Sequence, residues 1–439
     1  MIKRSKRVWS LRSKILLLKI GDVLLLVLSG FLSFFVLPVY ANFHYSVQEY
    51  WTILFLTILW VFISVISDSY NHKNLQKIFR SLQEPIRITI FCWIVYVVFY
   101  FFSPRNSLPR STVLIYCFVS CLLTMVWRFA HFAIFSLEKM RQKIIILSKE
   151  KLFDFDQVMS SNYFEVTEVL SSTNVNKVIK LTSTQQIHRV IYNPKEMTEN
   201  EIIQLNMLND RGVQITSIYL FYEEFYSRVS LKCPDLFELL NTQRDMVLYK
   251  FLKRCLNLSG ALIGLMIWMP LFPIIALFIK IDSPGPIFFS QIRRGKNGKD
   301  FRLWKLRTMF VVHETNETWT QSKDPRITRV GKLLRKTRID ELPQLWNVLC
   351  GNLSLVGVRP LSADQCERFA RKIPYHNLRH HTTPGITGWA VINQGYVNSD
   401  DGAIIRLEYD LFYIKNCSIW LDILILLRTI SIVITLKGL

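Results

Sequence analysis

The chain has 439 residues, half of them hydrophobic and 13% aromatic, and its 54 Lys and Arg against 33 Asp and Glu leave a net charge of +21. That length points to two or three domains, and the composition excludes intrinsic disorder and collagen-like or disulfide-built scaffolds. It is too apolar for a typical soluble nucleic-acid binder and too charged for a bare bundle of membrane spans, whereas a membrane anchor carrying a basic domain satisfies both.

The first 14 residues hold Lys3, Arg4, Lys6, Arg7, Arg12 and Lys14 with no acid, and the apolar stretch behind them, about 15–40, is too long for a secretory signal. Three further apolar stretches follow at about 51–66, 88–102 and 112–135. No Lys or Arg separates the first two, whereas Lys73, Lys77, Arg80 and Arg87 lie between the second and third. Only Arg105 and Arg110 lie between the third and fourth, and Lys139, Arg141 and Lys143 follow the last. The positive-inside bias therefore predicts four spans with the N-terminus inside and the chain returned to the cytoplasm after the fourth. Arg128 and His131 fall in the inner part of span four, where snorkelling to the interface is the expected arrangement and a functional intramembrane charge the alternative. The eight cysteines show no metal-ligand or redox spacing and read as reduced small hydrophobes.

From about 141 to 245 the pattern becomes α/β. Strands are expected at 143–147, 188–192 and 213–218, with an amphipathic stretch at 199–209 between the last two. A nucleotide-binding sheet of this kind needs a glycine-rich turn after its first strand. Here Ser-Lys-Glu-Lys follows Leu147, so the expectation is a Rossmann-like domain without a glycine-rich loop, structural or dimerising in role, with a regulatory nucleotide site as the alternative.

Thirteen of the sixteen glycines fall at or after Gly260, which marks the last part of the chain, about 246–439, as the one rich in tight turns. It opens with another apolar stretch, about 256–281, interrupted by Pro270 and Pro273 and basic on both flanks. A crossing would place one basic flank outside, so the expectation is a re-entrant helix broken at the prolines, with a kinked fifth span as the alternative. A hairpin is expected around Asn297–Gly298, with basic side chains suited to a polyphosphate or to anionic headgroups. The pair Asp340–Glu341 sits in an apolar setting with Arg335 and Arg338 just before it. Adjacent acids in a partly dry site call for cations, and one could serve as a nucleophile toward phosphorus. The plainer alternative is two acids favoured by a helix N-terminus.

The surrounding motifs weigh against the plainer alternative. They are DSPGPIFFSQIRRGKNGKDFRLWKLRTM at 282–309, DPRITRVGKLLRKTRIDELPQLWNVLCGNLSLVGVRP at 324–360, TTPGITGWAVINQGY at 382–396 and RLEYDLFYIKNCSIWLDILILLRTI at 406–430. Taken in this order, the chain from about 249 to its end resembles the bacterial sugar transferase family of polyprenyl-phosphate hexose-1-phosphate transferases. The four-span front resembles that family's long subgroup.

The resemblance implies a mixed α/β monotopic catalytic domain and transfer of sugar-1-phosphate from a UDP-sugar, first UDP-glucose or UDP-galactose, to undecaprenyl phosphate. UMP is released, in the first membrane step of exopolysaccharide, capsule or O-antigen synthesis. Asp340 would be the nucleophile, forming an aspartyl-phosphosugar intermediate, and would hold Mg2+ together with Glu341. Arg335 and Arg359 would bind phosphate, with Lys305 and Arg307 also at the nucleotide diphosphate. A homodimer in the inner membrane is implied as well. Val358, Arg338 and Val391 depart from the family pattern and bear on a turn, a phosphate contact and a sugar- or nucleotide-facing contact. The competing readings are a non-catalytic membrane scaffold of polysaccharide assembly, a tethered nucleic-acid binder and a transporter. No nucleic-acid-binding motif and no internal repeat supports the last two.

Overall fold

The computed structural model describes residues 11–36, 47–67, 69–70, 78–102, 110–136, 141–149, 158, 164–171, 174–234, 236, 247–310, 324–394 and 399–434. These fall into two compact units, Met1–Phe221 and Tyr222–Leu439.

The first unit begins with four helices, α1 (Leu11–Val36), α2 (Val47–Ile66), α3 (Ile78–Phe102) and α4 (Arg110–Ser136). By length and composition α1, α3 and α4 can cross a membrane, and α2 carries a shorter apolar segment, Tyr50–Ile66. The positive clusters that set the expected orientation, Lys3 to Arg7, Lys73, Lys77, Arg105 and Lys139, lie outside the described residues.

Leu26, Leu56, Trp60, Ile88 and Val113 form the apolar centre of this bundle. Polar groups stitch the helices together. Thr57 meets the Tyr116 hydroxyl at 2.8 Å, Trp60 Nε1 donates to Thr89 at 3.2 Å, and Trp127 Nε1 donates to the Leu18 carbonyl at 3.2 Å. In an apolar surround each such bond contributes roughly 0.6 kcal/mol.

The expected snorkelling of Arg128 is overturned. Its Nη2 lies 2.7 Å from Asp22 Oδ2, both side chains fully buried, and the Tyr70 hydroxyl donates to the same oxygen at 3.0 Å. His131 meets the Lys14 carbonyl at 3.0 Å. An opposite charge on a neighbouring helix removes the need to reach water.

Beyond the bundle lies a four-stranded parallel sheet, order β2-β1-β3-β4, made of β1 (Gln142–Leu147), β2 (Phe164–Leu170), β3 (Arg189–Tyr192) and β4 (Gln214–Ser217). Strand β2, at the edge, is one the sequence reading omitted. Helices α5 (Val175–Thr184) and α6 (Glu199–Asn206) follow β2 and β3, and Val178, Leu205 and Leu208 bury against Ile145, Leu147 and Val190. In sheets of this order ligands sit beyond the carboxyl ends of the strands, where the order reverses between β1 and β3. Here the Glu196 carboxylate lies at that point, accepting from Lys149 N at 2.8 Å, Ser148 Oγ at 3.2 Å and Asn193 Nδ2 at 2.9 Å. Helix α7 (Ile218–Tyr226) follows β4.

The second unit is organised around α8 (Val247–Asp282), a single helix of 36 residues. The expected break is absent: Pro270 and Pro273 lie inside a continuous helix, although neither can donate to the carbonyl four residues before it. One stripe of α8, at the helical spacing of three and four, explains why the helix persists. Asn257, Ala261, Trp268, Ala276 and Ile279 are buried, and Leu265, Phe272 and Ile275 pack with them against Leu303, Leu306, Leu334 and Leu345. A Cβ on Gly260 would lie 2.5 Å from Leu355 Cδ1, so the helix meets this side chain closely there. Off the stripe, Leu262, Ile263, Met266, Ile267, Met269, Ile274, Leu277 and Phe278 are all more than half exposed.

Both ends of α8 are tied to this same unit. Near the start, Lys253 pairs with Asp422 at 3.0 Å, and Arg254 donates to the Val348 and Leu349 carbonyls. At the end, Arg307 donates to the Ser283 and Pro284 carbonyls at 2.6 and 2.7 Å, and Asp282 accepts from Val330 N at 2.9 Å.

Strands β5 (Phe288–Arg294) and β6 (Asp300–Leu306) form the expected antiparallel hairpin, turned by Asn297 and Gly298 at φ 54° and 74°. Then come α9 (Arg329–Thr337), α10 (Gln344–Cys350), β7 (Ser354–Val356), α11 (Ala363–Lys372), β8 (Gly385–Thr387), α12 (Trp389–Gln394), α13 (Asp400–Lys415) and α14 (Ile419–Ile434), with β7 and β8 paired in parallel. The charges that interrupt the apolar C-terminal stretch turn inward. Asp422 accepts from Lys253, Tyr249 and Tyr413, Lys415 pairs with Glu223, and Arg428 lies over the Trp389 ring.

Candidate active site

The acid pair is delivered by a short helix and a tight turn. Thr328 caps α9 by accepting from Gly331 N, and α9 stops at Arg338, which takes a left-handed φ of 55°. That conformation costs a non-glycine residue about 1–2 kcal/mol. It redirects the chain into a 3-10 turn over Ile339–Glu341. Ile339 and Leu342, both half-buried, pack against the apolar cluster around Trp268 and Leu306, and Asp340 and Glu341 line a cavity of about 1050 Å³.

The two acids have opposite surroundings. Glu341 is clamped: its Oε1 lies 2.6 Å from Arg359 Nη2 and 3.0 Å from Lys305 Nζ, and its Oε2 lies 3.6 Å from Arg338. Burial alone would raise its pKa, but Arg359 and Lys305 outweigh it and hold the carboxyl well below the usual range. Asp340 is equally buried, at 7% exposure, and has no hydrogen-bond or ion-pair partner among the described residues. Burial, and then the charge of Glu341, push it up to about 6 against the pull of Lys305, Arg335 and Arg359. One carboxylate is thus fixed and permanently charged, and its neighbour is unencumbered and faces the cavity.

Of the other residues predicted for the site, Lys305 and Arg359 act as that clamp. Arg335 also lines the cavity; its Nε donates to Thr308 Oγ1 at 2.8 Å, and its two terminal nitrogens have no partner among the described residues. Arg307 also lines the cavity, but both its terminal nitrogens are given to the carbonyls at the end of α8. Pro270 and Pro273 lie in α8, outside the cavity lining. On the basic hairpin, Arg294 pairs with Asp300 at 2.7 Å, while Arg293 and Lys305 line the cavity. Val391 lines it too, whereas Val358 is buried and continues the β7–β8 pairing through a bridge to Pro384.

Sequence reasoning passed over other cavity residues. Arg379 forms a buried pair with Asp410 at 2.9 Å and donates to the Arg359 carbonyl at 3.0 Å, so it fixes the backbone that carries one arm of the clamp. Arg326 and Arg406 also line the cavity. The available signal was the tyrosine- and aspartate-bearing run at 406–413, whose acid needs an interior partner.

Asp340 and Glu341 are hard oxygen ligands of the kind magnesium takes. No group of three or more His, Cys, Asp or Glu able to hold a metal lies among the described residues. Asp340, with no hydrogen-bond or ion-pair partner among the described residues, could offer an oxygen to an ion that takes one or two carboxylates and completes its shell with substrate phosphates and water, whereas both oxygens of Glu341 already face cations.

A family model described as bacterial sugar transferase matches residues 248–436. Over 186 residues the chain is 38% identical to an exopolysaccharide production protein of Rhizobium leguminosarum bv. phaseoli, covering 93% of that protein and 41% of this chain. The chain belongs to the bacterial sugar transferase family. It is also 44% identical over 189 residues to the UDP-N-acetylgalactosamine-undecaprenyl-phosphate N-acetylgalactosaminephosphotransferase of Aeromonas hydrophila, over 43% of this chain and 45% of that one. It is 42% identical over 185 residues to the UDP-glucose:undecaprenyl-phosphate glucose-1-phosphate transferase of Escherichia coli K12, over 41% and 40%. The match thus spans less than half the length of these two relatives, and the residues 248–436 matched by the family model include every cavity-lining residue named above.

Proposed function

We propose that this family member transfers a sugar-1-phosphate from a UDP-sugar to undecaprenyl phosphate. The observation that carries the reading is the asymmetry of the acid pair, with Glu341 clamped by three cations and Asp340 buried, unpartnered and facing a basic cavity. An oxygen of Asp340 attacks the sugar-proximal phosphorus. The bond from that phosphorus to the bridging oxygen breaks, UMP leaves with the oxygen, and the phosphosugar stays on the carboxylate. An oxygen of the lipid phosphate then attacks the same phosphorus, the aspartyl bond breaks, and the carboxylate is regenerated.

Such transfers depend on positioning and on neutralising charge that spreads over phosphoryl oxygens. Lys305, Arg335 and Arg359 supply fixed positive charge around Asp340, and burial excludes competing water. Magnesium bound at Asp340 would add charge neutralisation on the diphosphate. Relatives named for N-acetylgalactosamine and for glucose indicate a UDP-hexose or UDP-N-acetylhexosamine donor, and Val391 is placed to bear on that choice. The cavity would open on the cytoplasmic face of the inner membrane, with α8 lying in one leaflet. The attachment of both its ends to a single unit supports that placement.

The test is a UMP-release screen across UDP-sugars with the purified full chain, magnesium and undecaprenyl phosphate, followed by trapping of phosphosugar on the protein with donor alone. Release with at least one sugar and an adduct mapped to Asp340 are expected. No release with any donor would refute the reading.

A further inference from the structure

Three cations of the cavity converge on Glu341, but Arg326 does not. Its guanidinium is held in bidentate fashion by Asp324, Nε to Oδ1 at 3.0 Å and Nη2 to Oδ2 at 2.7 Å, and the Asp324 side chain is only 7% exposed. The hydrogen bonds from Arg326 keep Asp324 ionised, at about 2. The remaining nitrogen, Nη1, has no partner among the described residues, and Arg326 lines the same cavity as Arg335, whose terminal nitrogens are likewise unpartnered. A guanidinium aimed by a two-point carboxylate contact, with an unused donor and a second guanidinium in the same cavity, suits phosphate recognition.

Apolar side chains line the same cavity. Phe310 N donates to the Arg326 carbonyl at 2.9 Å, so the two residues lie side by side on adjacent extended segments. Pro286, Phe288 and Phe289 also line the cavity, and the Phe288 ring stacks at 5.3 Å on Phe272 of α8, the helix whose other faces are exposed and apolar. A nucleotide sugar is polar on both sides of its diphosphate. A polyprenyl phosphate joins a phosphate directly to hydrocarbon, and only that ligand uses both features.

We propose that Arg326, positioned by Asp324 and acting with Arg335, binds the phosphate of the polyprenyl acceptor, and that Pro286, Phe288, Phe289 and Phe310 receive its first isoprene units. The inference rests on the transfer reaction proposed above and assigns Arg326 to its second half. The acceptor oxygen attacks the phosphosugar on Asp340, one P–O bond forming as the aspartyl P–O bond breaks, with no proton required from the protein.

The two half-reactions separate the possibilities. With the full chain in lipid nanodiscs, UMP release is followed in a single turnover without acceptor, and discharge of the adduct is followed as undecaprenyl phosphate is titrated. Arg326→Ala is expected to raise the apparent KM for acceptor about tenfold or more, the loss of a charge-assisted contact. UMP release should stay within about twofold of the parent. Asp324→Asn should shift the same KM less and add nothing in the Arg326→Ala background, as a positioning residue must. Arg326→Lys, which keeps the cation without the fork, should fall between parent and alanine and covers the case in which the alanine variant unfolds. If Arg326→Ala or Arg326→Lys slows UMP release as much as discharge, the site belongs to the donor and the inference is overturned. An unchanged acceptor KM in both variants overturns it as well. Absence of UMP release from the parent protein would instead strike the transfer reading itself.

Discussion

Replacing Asp340 by asparagine should abolish transfer while making the protein more stable. The carboxyl rises from 3.8 to about 6 on folding because burial and Glu341 disfavour its charge more than Lys305, Arg335 and Arg359 favour it. About two pKa units correspond to about 3 kcal/mol of cost carried by the ionised side chain in the folded state. Asparagine has the same shape and carries no such cost. The sign follows from proton linkage: between 3.8 and about 6 the folded state binds the proton more tightly, so stability falls as pH rises through that window. Above pH 6 the whole cost is present. Thermal unfolding of the full chain in nanodiscs at pH 8 should therefore show Asp340→Asn melting higher by several degrees, up to about 10 °C for a cooperative unit of this size. The gain should vanish near pH 4. Transfer should drop by more than about 10³-fold, and no phosphosugar should be trapped on the variant. Equal or lower stability at pH 8 would refute the account of Asp340 as a carboxylate held against its preference. Retained transfer would refute its role as nucleophile.

Other outcomes follow from the same geometry. The pH profile of kcat/KM for the UDP-sugar should lose activity on the acid side as the nucleophile takes up its proton, with a midpoint that falls below about 6 as magnesium is raised; a midpoint that rises with magnesium would contradict this. Glu341→Gln leaves Lys305, Arg338 and Arg359 without their shared anion and should cost about 3–5 kcal/mol of stability, read as a lowered melting temperature. In the bundle, Arg128→Leu strands the buried Asp22 and should destabilise by a similar amount, about 3–5 kcal/mol, while Asp22→Leu with Arg128→Leu should recover most of it. A double variant no better than the single one would show that the pair is not the controlling contact.

The acid pair drew notice for its apolar sequence setting, between Ile339 and Leu342, but it was the ordered motifs around it that made it readable as a site. The asymmetry between the two acids was not readable, since Arg359 and Lys305 approach Glu341 from 18 and 36 positions away in the chain. Arg128 was misplaced for the same reason: its partner Asp22 stands 106 residues away on another helix. The prolines of α8 signalled a break because local hydrogen bonding was weighed alone. A packed stripe running from Asn257 to Ile279 keeps the helix whole despite two missing donors. Strand β2 was overlooked because Glu165 and Glu168 interrupt its apolar residues, as suits the edge of a sheet. The strands at β1, β3 and β4 and the Asn297–Gly298 turn depend on near neighbours and came out as expected.

Trp268 and Ile279 belong to the long apolar helix, yet they complete the same cluster that supports Leu306, Leu334 and the turn bearing Asp340. Anchor and catalytic floor are therefore one piece of architecture. Trimming the helix away to obtain a water-soluble enzyme would remove the ground beneath the nucleophile, so a detergent-free fragment beginning after residue 282 should be inert even where it dissolves.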